Sequence, residues 1–69
     1  MIKVTHFIKR LKNHEGKTTF LNAHKIRSIY QDDDGDVYIE FDVGGLYVKE
    51  SIEDVLQQIN KVLNGGNNE

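Results

Sequence analysis

The sequence predicts an α+β fold: a small antiparallel sheet of about five strands with one C-terminal amphipathic helix packed on it. Three observations carry that prediction. Apolar and polar residues alternate through residues 2–9 and 37–48, the period of half-buried strands. After Ser51 the apolar period lengthens to three and four residues, which is helical. Polar and glycine-rich clusters at 12–17, 32–35 and 44–45 break the chain at short intervals, as hairpin connections do. With 69 residues the chain has room for one thin core, read as a single domain over 1–63 with a flexible tail at 64–69.

In the first strand Ile2, Val4, His6 and Ile8 fall on one side, and Lys3, Thr5, Phe7 and Lys9 on the other. The polar stretch ending in Gly16 and Lys17 suits a loop whose glycine takes positive φ. Residues 18–21 return as a second strand, in a register that the sequence leaves open. Asn22, Ala23 and His24 form a corner, and 25–31 is read as the third strand. Asp32-Asp33-Asp34-Gly35 is a turn, since Asp-Gly tolerates positive φ and a row of acids resists burial.

Residues 37–48 look like a hairpin closed by Gly44-Gly45, the composition of a two-residue type I′ turn. That turn sets Val43 opposite Leu46, Asp42 opposite Tyr47, Phe41 opposite Val48 and Glu40 opposite Lys49. A four-residue loop at 32–35 would likewise pair Tyr30 with Val37, Ser28 with Ile39, Arg27 with Glu40, Ile26 with Phe41 and Lys25 with Asp42. Ser51 then caps a helix whose first turn holds Glu53 and Asp54. Ile52, Val55, Leu56, Ile59, Val62 and Leu63 form its apolar stripe, and Asn64-Gly65-Gly66 ends it.

Composition excludes several classes of function. There is no Cys, hence no disulfide framework and no thiolate metal site. No apolar run spans a membrane and no segment reads as a signal peptide, so the expected location is cytoplasmic, without membrane insertion. The row Asp32, Asp34 and Asp36 invites a calcium reading. Counting from Asp32, however, the sixth and twelfth positions are Val37 and Val43, where an EF-hand needs Gly and Glu. His6, His14 and His24 lack zinc spacing. Ser51 serves better as a cap than as a nucleophile, and Glu40 and Asp42 read as a charged outer face. No catalytic residue, metal site or cofactor is expected.

The net charge of −2 hides a split. Residues 1–27 carry seven Lys/Arg against one acid, whereas residues 28–69 carry ten acids against two Lys. In the predicted registers Lys25 and Arg27 are neutralised across the middle strands. Lys9, Arg10, Lys12 and Lys17 are then left unpaired around the first hairpin, beside an exposed Phe7. Phosphate and base contacts are one use for that set; a solvated basic hairpin that keeps a sheet edge soluble is the other reading.

Met1-Ile2-Lys3-Val4-Thr5, Phe20-Leu21-Asn22-Ala23, the spaced Ile26 and Ile29, and Val48-Lys49-Glu50-Ser51-Ile52-Glu53-Asp54-Val55 together resemble the FlbD/SwrD family of small flagellar and swarming motility proteins. The resemblance spans roughly residues 1–60. It departs in the first hairpin, lengthened at about 8–15, and in the Asp32-Asp33-Asp34-Gly35 turn. The family pattern carries no catalytic residues. The resemblance implies a non-enzymatic cytoplasmic accessory or adaptor protein, motility-related or phage-derived, acting through protein–protein interaction. A core this small also favours a homo-oligomer. The alternative is a small RNA- or DNA-binding regulator using Phe7, Lys9, Arg10, Lys12 and Lys17.

Overall fold

Alternating aliphatic residues and one cap organise the molecule around a single layer of side chains between sheet and helix. The computed structural model describes residues 1–11 and 15–65. The strands are β1 (Ile2–Phe7), β2 (Lys17–Leu21), β3 (Ser28–Gln31), β4 (Val37–Glu40) and β5 (Gly45–Val48), followed by helix α1 (Ile52–Asn64). Their order is β2-β1-β5-β4-β3, and each neighbouring pair is antiparallel. The predicted α+β fold is present.

The core is aliphatic. Ile2 and Val4 of β1, Val37 and Ile39 of β4, Val48 of β5 and Val55 of α1 are buried together, with Leu21 and Ala23 at the side. Ile52, Ile59 and Val62 pack against this cluster from α1. As predicted, the Ser51 hydroxyl accepts a hydrogen bond from Asp54 N–H, at 3.1 Å, and starts the helix. Gly66 and the tail at 67–69 lie outside the described residues.

Two predicted registers are corrected. Across the 32–36 turn the pairs are Ser28–Glu40, Ile29–Ile39, Tyr30–Tyr38 and Gln31–Val37. This is a shift of one residue, which turns Ile29 inward and Tyr30 outward. Carried on as a strand through 25–27, this register would turn Lys25 and Arg27 inward at a burial cost. The chain avoids the cost by not being a strand there. Ala23–Lys25 is a short 3-10 helix whose cap, Asn22, accepts from His24 N–H at 3.0 Å. Lys25 and Arg27 both remain exposed.

The second correction moves the β4–β5 turn. Val37 faces Val48, Tyr38 faces Tyr47, Ile39 faces Leu46 and Glu40 faces Gly45. The turn apex is therefore Asp42-Val43, closed by Phe41 N–H donating to the Gly44 carbonyl at 2.9 Å, and Val43 is 91% exposed. A type I′ turn at 44–45 needs positive φ at both residues, and only Gly44 has it, at 75°. The displacement is four residues. An even shift keeps every side chain on its face, so alternation cannot detect it. Because the helix begins at Ser51, β5 is short and must lie against 37–40 to reach Val37 and Ile39. Gly45 is needed in the strand itself: a Cβ there would sit 2.5 Å from both the Ile39 carbonyl and the Tyr38 hydroxyl.

At the end of β1 Phe7 stays on its predicted side, but the exposure departs from the prediction. Phe7, expected exposed, is 7% exposed, whereas Ile8, expected inward, is 41% exposed. Phe7 faces Tyr47 across β5. The row continues through Tyr38 to Tyr30, with ring centroids 5.8, 4.9 and 5.5 Å apart. These rings occupy the face opposite the aliphatic core, one on each of four strands. Edge-to-face and tilted contacts of this kind are favoured by the ring quadrupoles.

Candidate functional site

The first hairpin holds most of the residues that the sequence singled out, and the structure divides them. Lys9 reaches across Tyr47, its ammonium 5.2 Å from the ring centre, to the turn at 32–36. There it pairs with Asp32, with Asp34 at 2.8 Å and with Asp36 at 3.4 Å. The expectation of an unpaired Lys9 is thus corrected. Among the described residues, the ion pairs within 4 Å are these three. The predicted Arg27–Glu40–Lys49 and Lys25–Asp42–Tyr47 rows do not form, because both registers that would build them have shifted. Glu40 instead accepts from the Ser28 hydroxyl at 2.6 Å.

The acidic turn is ordered by its first residue. Asp32 Oδ1 accepts the backbone N–H groups of Asp34 and Asp36 at 3.0 and 3.1 Å, while Oδ2 accepts from Lys9 and from the Tyr47 hydroxyl, the latter at 3.1 Å. The Lys9 ammonium holds the Asp32 carboxyl at about 2; burial opposes the shift and the Asp36 and Asp34 amides add to it. Hydrogen bonding to Asp32 and then Asp34 pushes the Lys9 pKa up against partial burial. Burial first, and then the bond to Asp32, push the Tyr47 phenol up. The three aspartates have carboxylate oxygens within 4.8 Å of one another, an arrangement able to hold a cation. The cation engaged there is the ammonium of Lys9.

A cleft of about 670 Å³ beside this cluster is walled by both signs of charge, including Lys9, Asp34, Asp36 and Glu50. Its charged groups are largely engaged. Glu50 accepts the Thr5 N–H at 2.7 Å and the Thr5 hydroxyl at 2.9 Å. This acid and Gln58 serve β1 where β5 stops: the Gln58 side chain accepts Lys3 N–H and donates to the Lys3 carbonyl, both at 2.8 Å.

Beyond Lys9 the hairpin changes character. Leu11 N–H donates to the Ile8 carbonyl at 3.1 Å, closing a turn that leaves Ile8 and Leu11 41% and 47% exposed. Arg10 between them and Lys17 at the start of β2 are exposed. Ile8, Leu11 and Lys17, with His6, Phe7 and Glu15, line a cavity of about 610 Å³. Lys12 and His14 lie outside the described residues. Of the five predicted contact residues, then, Phe7 is buried, Lys9 is held by aspartates, and Arg10 and Lys17 border an apolar end.

Residue chemistry alone does not single out Ile8 and Leu11, two aliphatics at the end of an alternating strand. Their three-residue spacing after the last strand position was the available signal. Asp32 as the Lys9 partner had none, being 23 residues away in the chain.

Comparison with family models, with curated proteins and with solved structures finds no match.

Proposed function

We propose that this chain is a non-enzymatic protein-interaction module whose working surface is the end of the first hairpin. One observation carries the reading: Ile8 and Leu11 stand exposed on one turn, flanked by Arg10 and Lys17. Apolar anchors within a charged border are the usual anatomy of a protein-binding patch. The Lys9 arm supplies the rigidity. By tying the hairpin root to the 32–36 turn, it lowers the entropy lost when the patch docks.

The nucleic-acid alternative loses support from the same residues. The Phe7 ring counted on for stacking is buried, and the Lys9 charge counted on for phosphate is spent on carboxylates. A partner with an acidic, apolar surface suits Arg10, Lys17 and the two aliphatic side chains better. The FlbD/SwrD resemblance agrees with an accessory or adaptor role, and a motility-related or phage-derived setting in the cytoplasm is part of this proposal.

A photo-crosslinking amino acid at Arg10 tests it in cells, with the same probe at Asp42 as control. The expected result is saturable protein adducts from position 10 that disappear when Ile8 and Leu11 are both changed to Ser. In parallel, labelled RNA and DNA should show no salt-sensitive micromolar binding. Adducts no stronger than the control overturn the reading. Salt-sensitive nucleic-acid binding lost on replacing Arg10 and Lys17 by Gln would replace it.

A further inference from the structure

The helix leaves a second apolar surface unused. Leu56 and Leu63, seven residues apart and so on one helix face, are 50% and 48% exposed. With Ile59, Asn60 and Glu53 they line a groove of about 570 Å³ along α1. Its chemistry complements the hairpin end: leucines with the Glu53 carboxylate at one side, against Ile8 and Leu11 with Arg10 and Lys17, which outnumber the Glu15 carboxylate there. Both patches are exposed in the same chain, so neither covers the other. Gln58 of α1 is bonded to Lys3, and Ile8, just past the end of β1, lies five residues further along the chain, at most about 17 Å at the rise of a strand. The hairpin end of one molecule therefore does not fill its own groove.

We infer that the hairpin end of one copy docks into the α1 groove of a second copy, Ile8 and Leu11 against Leu56 and Leu63, with Arg10 facing Glu53. This rests on the reading of the hairpin as a docking surface and names its occupant as this chain itself. The contact is heterologous, using different surfaces of the two molecules. Its charge component steers the encounter and weakens with salt.

Sedimentation of the full chain over a range of concentrations decides it. Wild type should associate, and raising the salt should loosen it. Ile8→Asp and Leu56→Asp should each weaken association at least about tenfold, while circular dichroism stays that of the folded protein. Both positions are about half exposed, so folding tolerates the change. A one-to-one mixture of the two variants should form two-chain complexes, because each supplies the surface that the other lacks. Arg10→Glu and Glu53→Arg should likewise fail singly and associate when mixed.

A wild type that stays monomeric up to millimolar concentration overturns the second-copy occupant, while adducts from position 10 would still uphold the hairpin reading. Association lost with Ile8→Asp but not with Leu56→Asp overturns the groove alone. Association untouched by either variant, or a mixture that remains monomeric, also overturns the inference.

Discussion

Lys9 is the residue on which the hairpin depends, and its environment fixes a pH signature. The Asp32 pKa falls from an ordinary 3.8 to about 2 on folding, so its contribution is complete above about 4 and lost as pH drops towards 2. Lys9 is shifted the other way, above its ordinary 10.5. Its contribution is complete below that value and lost as pH rises beyond it, together with that of the raised Tyr47 phenol. Denaturant midpoints should therefore be level, as far as this cluster is concerned, between about pH 5 and 9 and fall on both sides. Asp32→Asn should flatten the acid limb and Lys9→Met should shrink the alkaline one; unchanged limbs would remove the cluster from the pH response. The acidic turn was legible, because Asp-Gly chemistry acts within five residues. Its cation was not, because nothing local in the sequence records which lysine the fold brings over Tyr47. Phe7 takes its predicted side, but its burial was not legible for a similar reason: whether a ring on the outer face is covered depends on what packs beside it, here Tyr47.

At the level of elements, β1 is completed by side chains where β5 runs out. β5 pairs with His6 and Phe7, Lys49 N–H reaches the Thr5 carbonyl at 2.9 Å, and Glu50 and Gln58 serve the rest. The amides of Thr5 and Lys3 should thus exchange slowly with solvent deuterium, although β5 does not extend to them. Gln58→Ala should speed exchange at Lys3 by about fivefold and leave Thr5 alone, and Glu50→Ala should do the reverse. Equal effects at both amides would mean general loosening. Helix and strand identities were readable from period and caps, as Ser51 and the alternation of 37–40 illustrate. Register was not. Moving β5 by four residues leaves each side chain on the same face, and the one-residue shift of β3 was hidden because a 3-10 helix at 23–25 keeps Lys25 out of the sheet while Arg27 stays exposed.

The whole molecule is small, with aliphatic residues between sheet and helix, Phe41 packed against them, and a row of four aromatic rings on the far face. A core of this size leaves little margin, and the second-copy contact inferred above would stabilise the folded state by mass action. The melting temperature should rise by about 5–10 °C when the concentration is raised a hundredfold through the association range. That of Ile8→Asp should stay constant; a rise in both would assign the stabilisation to another surface. The sequence by itself determined the fold class, the turn positions at 16 and 35, the helix and its cap, because these follow from local periodicity and backbone preference. It also determined that positive charge concentrates early in the chain. Only the tertiary structure decided where that charge is spent, which hydrophobic residues remain outside, and how the strands register. Those outcomes depend on contacts between residues far apart in the chain, as when Lys9 meets Asp32, 23 positions away.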